Sequence, residues 1–288
     1  MKEITGHTKL TGLLGSPVSH SISPMMHNEA FHQLDLDYVY LAFDVGTENL
    51  KTAVDGMRAL NVRGFNLTMP DKNAMCTLCD SLSPAASIIG AVNTVVNNNG
   101  HLCGHNTDGI GYMRALREDG YDILGKKMTI LGAGGAATSI FVQAALDGVS
   151  EISIFSRRSP FFERAQHTIL RLKEHTNCKI SLYDFDDPLI LKRELSESAI
   201  LTNATSVGMA PNTDASLIHD EAMFHKDLIV SDVIYNPRET KLLKLAKEAG
   251  CKTQNGLYML LYQGAEAFKL WTGKEMPVSV IKDKYFSC

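Results

Sequence analysis

The chain has 288 residues, with Lys plus Arg at 28, Asp plus Glu at 32 and a formal net charge of −4 at pH 7. Its 44% hydrophobic and 21% charged residues are those of a folded globular chain of roughly two domains. The balanced charge speaks against a nucleic-acid binder, no apolar run reaches the ~18 residues of a membrane span, and the opening MKEITGHTKLTGLLG lacks a signal-peptide core, so a cytoplasmic enzyme is expected.

In chain order, KLTGLLG, YVYLAFDV and VRGFNLTM read as strands, and SPMMHNEAFHQL and NLKTAVDGMRAL as helices. Ser23 is the expected N-cap of the first helix, with Pro24 at its first position. KNAMCTLCDSL carries Cys76 and Cys79, expected as two thiols on a half-buried helix; a structural zinc site needs about four ligands, and no second such pair follows. AVNTVVNNNGHLCG reads as a hairpin turning at Asn98, Asn99 and Gly100, and GIGYMRALREDG as a helix ending at Gly120.

A second unit then begins: strand, glycine turn and helix in MTILGAGGAATSIFVQAALDG, a strand EISIFS, and a helix near FFERAQHTILRLKEH. Strands at KISLYDF, AILTNA, LIVSDVI and CKTQN follow, with a helix at TKLLKLAKEAG before the last. This alternation predicts an α/β chain with a parallel, doubly wound sheet. LYMLLYQGAEAFKLW and a short segment after Pro277 predict two closing helices.

Gly132, Ala133, Gly134, Gly135, Ala136 and Ala137 fit G-x-G-x-x-G/A between an apolar strand and a helix, the context that makes this motif a Rossmann-like dinucleotide loop. Its glycines permit the turn and the close approach of a pyrophosphate, onto which the helix N–H groups point. The next strand ends in Ser156, Arg157, Arg158 and Ser159, with no carboxylate for the ribose hydroxyls and two guanidinium groups suited to a phosphate. NADP is therefore favoured as cofactor, with NAD use and stacking of an arginine on adenine left open. Away from this loop, SHSISP, NLTMPDK, GAVNT and NTDG place hydroxyls, amides, one lysine and one carboxylate at strand ends. Such a set suits a small polyhydroxylated ligand and contains no metal set.

With HSISP, NLTMPDK, GAVNT, HNTDG, GAGGAA, NATSVGM and YQGAEAF in order, the chain resembles the shikimate dehydrogenase family, most closely its quinate/shikimate dehydrogenase branch. The resemblance implies an N-terminal α/β substrate domain, residues 1–109, completed by C-terminal helices at 257–288, a Rossmann-like domain at 110–256, and a cleft between them. It implies reversible hydride transfer between the C3 alcohol of shikimate or quinate and NAD(P), in aromatic amino-acid precursor metabolism. Position by position, it puts Ser21 and Ser23 on the substrate carboxylate, and Asn66, Thr68, Asn93, Asp108 and Gln263 on or near ring hydroxyls. Lys72 and Asp108 match the catalytic pair. Ala133 to Ala136 match the phosphate loop, Ser156 to Ser159 the adenosine ribose, and Ser206, Val233, Ile234, Tyr235, Asn236 and Gly256 the nicotinamide half.

Hydride chemistry on an alcohol needs a group that takes and returns a proton, and Lys72 is expected in that role, with Asp108 orienting it or sharing its proton. The chain departs from close relatives at Asp71 and Ser156, where Asn is usual, at Ser159, where the NAD-using branch has Asp, and at Ser206, where it has Lys. Asp71 favours a protonated lysine if it faces the site and does nothing if it only caps. A non-catalytic sensor that binds dinucleotide and cyclic acid is the alternative; retention of Lys72 and Asp108 speaks against it. Neither nucleic acid nor membrane is expected as a partner, and a homodimer is compatible with the sequence without being specified by it.

Overall fold

A computed structural model describes residues 3–286, which form two compact units. One runs to Thr107 and resumes at Leu261; the other is Asp108–Leu260.

The first unit contains β1 (Lys9–Gly15), α1 (Ser23–Gln33), β2 (Tyr38–Asp44), α2 (Leu50–Ala59), β3 (Gly64–Leu67), β4 (Ser81–Leu82), α3 (Pro84–Ile89), β5 (Thr94–Asn98) and β6 (His101–His105). Its sheet has the order β2-β1-β3-β5-β6-β4. β1 lies parallel to β2 and β3, as helical crossovers require, whereas β5 runs antiparallel to β3 and β6. The β5–β6 connection is a tight turn through Asn99 and Gly100, at φ 54° and 95°. One face of the sheet packs on α2 through Leu14, Leu50, Val54, Phe65 and Val95.

The second unit contains α4 (Asp108–Glu118), β7 (Lys127–Leu131), α5 (Gly135–Asp147), β8 (Glu151–Ser156), α6 (Pro160–Leu172), β9 (Lys179–Asp184), α7 (Pro188–Ser196), β10 (Ile200–Asn203), β11 (Ile229–Asp232), α8 (Lys241–Glu248) and β12 (Lys252–Gln254). Its six strands are all parallel, in the order β12-β11-β10-β7-β8-β9. That is the doubly wound arrangement, in which strand order reverses about β7 and ligands are received at the strands' C-terminal ends.

Two helices close the chain: α9 (Leu257–Thr272) and α10 (Val278–Tyr285). From Leu261 onward α9 belongs to the first unit. There the buried Trp271 donates its indole N–H to the Val95 carbonyl at 2.9 Å and accepts from Arg63 Nε at its own carbonyl, also at 2.9 Å. Phe268 stacks on Phe31 at 5.1 Å, and His27 lies between Tyr40 and Trp271 at 4.5 and 5.2 Å.

Three local expectations need correction. Ser23 is the first residue of α1 and not its N-cap: Ile22 holds that place, already helical, and the Ser23 N–H donates to Ser21 Oγ at 3.3 Å. The Cys76–Cys79 stretch is a short 3-10 turn, Ala74–Thr77, with Cys79 beyond it, rather than a half-buried helix. Burial pushes the Cys79 thiol up to about 12. The third is α7, a helix for which the sequence reading named no element between KISLYDF and AILTNA; Pro188 starts it and the Asp187 carboxylate caps it through the N–H groups of Leu189 and Ile190.

Candidate functional site

In the first unit the structure links most of the amide and hydroxyl residues singled out by sequence. Asn66, near the end of buried β3, donates through Nδ2 to the Asn93 carbonyl at 3.1 Å and to Thr94 Oγ1 at 3.0 Å. Asn93 in turn accepts from the Thr107 N–H at 2.8 Å, and its Nδ2 donates to Thr107 Oγ1 at 3.0 Å and to Gln263 Oε1 at 3.5 Å. Thr94 Oγ1 donates to Asn93 Oδ1 at 3.0 Å. Buried polar groups must be hydrogen-bonded, and here they satisfy one another.

Tyr40 joins this net: its hydroxyl donates to Asn66 Oδ1 at 2.8 Å, and Ser23 is a second hydrogen-bond partner. Burial raises its phenol above the usual range, with the Ser23 contact acting in the opposite sense. Tyr40 thus ties Ser23, buried at the start of α1, to Asn66 on β3. Ser21 and Thr68 are half-buried beside these elements.

Lys72 lies in the turn after β3 and is half-buried. Its carbonyl accepts from the Val92 N–H at 2.8 Å, and the neighbouring Asn73 side chain donates to the Gly90 carbonyl at 2.7 Å. Asp71 is fully buried; its Oδ1 accepts from Thr47 Oγ1 at 2.8 Å, while Oδ2 has no partner among the described residues. The turn bearing the lysine is therefore fastened to the loop after β2 on one side and to the loop before β5 on the other.

In the second unit, each candidate cofactor residue except Gly256 ends or follows β7, β8, β10 or β11 at its C-terminal end. Gly132 has φ +112°, and a Cβ there would crowd Thr205 Cγ2 at 2.9 Å and the Ala204 carbonyl at 3.0 Å. A Cβ on Gly134 or Gly135 would meet nothing within 4 Å, so that side of the loop is open. Gly134 sits at the N-cap of α5 and supplies no side-chain cap, leaving the first-turn N–H groups for an anion. The loop thus fits a dinucleotide's phosphates. At the end of β8, Ser159 occupies the N-cap of α6 without a side-chain capping bond. Arg157 and Arg158 are exposed there and Ser156 is half-exposed.

Ser206, Tyr235 and Asn236 are exposed and Val233 is half-buried. Gly256 lies so close to the Val233 carbonyl that no Cβ fits between them. These loops hang on a buried triad that sequence reading missed. Asp232 accepts from Asn203 Nδ2 at 3.1 Å, from the Ile234 N–H at 3.0 Å and from Thr240 Oγ1 at 2.7 Å. Burial raises its carboxyl, and these three donors offset the rise. Asn203 also donates to the Val207 carbonyl at 3.2 Å. The available signal was an amide or carboxylate at or next to the end of a short buried strand, as at Asn203, Asp232 and, one residue earlier, Asn66.

Comparison with known proteins gives the class. The profile of the "Shikimate dehydrogenase substrate binding domain" matches residues 13–95, and that of the "Shikimate 5'-dehydrogenase C-terminal domain" matches residues 256–284. The shikimate dehydrogenase (NADP(+)) of Listeria innocua is 57% identical over 285 residues, covering 99% of this chain and 98% of that protein. A crystal structure of Listeria monocytogenes shikimate 5-dehydrogenase with shikimate and NAD superposes with TM-score 0.95 at 56% identity, covering 98% of each chain. A quinate dehydrogenase from Corynebacterium glutamicum in complex with NAD has TM-score 0.87 at 30% identity, covering 98% of this chain and 99% of that one.

Fold and relatives together define a two-domain, NAD(P)-dependent oxidoreductase. Within that class the chain belongs to the shikimate dehydrogenase family.

Proposed function

We propose that this protein catalyses reversible hydride transfer between the C3 alcohol of shikimate and NADP, accepts NAD as well, and acts on quinate through the same ring-hydroxyl contacts. The observation that carries the reading is the Asn66–Asn93–Thr107–Gln263 net, a set of neutral donors and acceptors suited to a ring bearing several hydroxyls. Ser21 and Ser23 hold the carboxylate, and Thr68, Asn66, Asn93 and Gln263 hold the ring. Quinate as a second substrate is supported by the structural likeness to the Corynebacterium enzyme.

Bound to the loop of Gly132 to Ala136, the nicotinamide dinucleotide supplies the hydride acceptor and donor. Ser156 to Ser159 take the adenosine ribose, and Ser206, Val233, Tyr235, Asn236 and Gly256 the nicotinamide half. Lys72 gives a proton to the C3 oxygen on ketone reduction and takes it back on oxidation, with Asp108 as its carboxylate counterpart. Asp71, buried and bonded to Thr47 through Oδ1, holds the turn that carries the lysine. A cytoplasmic setting belongs to the same proposal, supported by five free thiols among the described residues.

The test is kcat/KM for shikimate and quinate, each with NADP and with NAD, in the wild type and in Lys72→Ala. NADP with shikimate is expected to be the best pair, and the variant to lose roughly 10³-fold in kcat with substrate KM within tenfold. Near-normal turnover in Lys72→Ala would remove the lysine from the mechanism, and no turnover with any pair would refute the activity.

A further inference from the structure

A carboxylate that no motif marks stands at the ribose end of the second unit. Asp184 is the last residue of β9, directly across from Ser156, the last residue of β8. Its Oδ2 accepts from Arg158 Nε at 2.9 Å, and its Oδ1 from the Asp186 N–H at 3.3 Å. Arg158 is fixed on a second side, its guanidinium lying 4.3 Å over the ring of the buried Phe162. Its neighbour Arg157 is exposed and has no carboxylate partner among the described residues.

The two guanidinium groups are therefore unequal. Arg157 presents an uncompensated charge, whereas Arg158 presents one that a carboxylate already neutralises and an aromatic ring already orients. In a dinucleotide fold the end of this strand decides between a ribose 2′-hydroxyl and a 2′-phosphate: an acid there accepts the hydroxyls, and arginine takes the phosphate. Here Ser159 carries no charge, and the acid comes from the next strand, where it engages an arginine.

We infer that Asp184 is a specificity-determining residue that holds Arg158 back from the cofactor's 2′-phosphate and so keeps NAD usable beside NADP. The inference rests on the proposal that Ser156 to Ser159 take the adenosine ribose. With Asp184 in place, the ribose end offers one free guanidinium; without its charge it offers two. The carboxylate acts through Arg158 and touches no reacting atom.

The experiment measures KM and kcat for NADP and NAD at saturating shikimate in Asp184→Asn, Arg158→Ala and the double variant. Asp184→Asn is expected to raise the NADP-to-NAD ratio of kcat/KM about fivefold, through a lower KM for NADP, the scale of one exposed charge pair. In the Arg158→Ala background the same change is expected to move the ratio less than about twofold, because nothing is left to release. An unchanged or lower ratio in Asp184→Asn, with a clear NADP loss in Arg158→Ala, overturns the inference and leaves the ribose assignment standing. An equal rise in both backgrounds also overturns it, since the effect would then be bulk charge and not Arg158. If neither Asp184→Asn, nor Arg158→Ala, nor the double variant alters either cofactor's KM, the assignment of this loop to the ribose falls, and the inference with it.

Discussion

The two candidate sites are built in opposite ways. In the first unit the proposed substrate-binding side chains Asn66 and Asn93 are buried and bonded into one net, so Asn93, 2% exposed, is held by Thr94, Thr107 and Gln263 before any substrate arrives. In the second unit Arg157 and Arg158, proposed to meet the adenosine ribose, stand in solvent on the loop after β8. Preorganisation of the first kind lowers the cost of binding a small polar ring, but it makes each binding residue a structural residue too. An exposed loop leaves stability untouched and lets specificity change by single charges.

The sharpest test of that contrast is Asn93→Ala. It leaves the buried Thr107 N–H without its acceptor and cuts the link to Gln263, so a loss of about 2–4 kcal/mol in unfolding free energy is expected together with a raised substrate KM. Urea denaturation and steady-state kinetics read the two effects, and a variant of unchanged midpoint would mean that the net is not structural. Arg157→Ala should do the reverse. Its KM for NADP should rise roughly tenfold with little change for NAD, while the denaturation midpoint stays within about 0.5 kcal/mol of wild type. A matching loss with both cofactors would assign Arg157 to adenine stacking instead.

The smallest effect is expected behind the net, at His27. Both ring nitrogens are buried without partners among the described residues, and burial lowers its pKa from 6.5 to about 3. The unfolded chain protonates this histidine below about 6.5 and the folded chain does not, so the folded state loses stability as pH falls from about 6.5 towards 3, at up to ~1.4 kcal/mol per unit. His27→Leu is therefore expected to gain about 1 kcal/mol at neutral pH and more at pH 5, read from urea midpoints at the two values. A variant no more stable at either pH would show that the stacking on Tyr40 outweighs the unpaired nitrogens.

What sequence reading could reach follows the same division. The glycine loop, the strand ends and most of the order of elements in the second unit were legible because short β-branched runs alternate there with longer amphipathic stretches. The hairpin was legible from Asn99 and Gly100. Tyr40 was not: it lies in YVYLAFD, where nothing distinguishes a core tyrosine from one whose hydroxyl joins Ser23 to Asn66. Asp184 was hidden for a related reason, since its role depends on β9 lying beside β8, a pairing that joins residues 28 positions apart. Local rules also misplaced the cap of α1, which lies one residue earlier at Ile22 and makes no side-chain capping bond, while the Ser23 N–H itself donates to Ser21 Oγ.

The indole of Trp271, bonded to the Val95 carbonyl on β5, has a consequence for how the protein is made. The first strands to leave the ribosome belong to a unit whose last wall is α9, more than 150 residues downstream. A Cβ on Gly64 would collide with the Trp271 ring as well as with the Val95 carbonyl, so the sheet is shaped to receive that indole and lacks this cover until the helix emerges. The unit between, which contains all of its own strands, can close first, and the chain that starts the first unit must wait for its end to finish it.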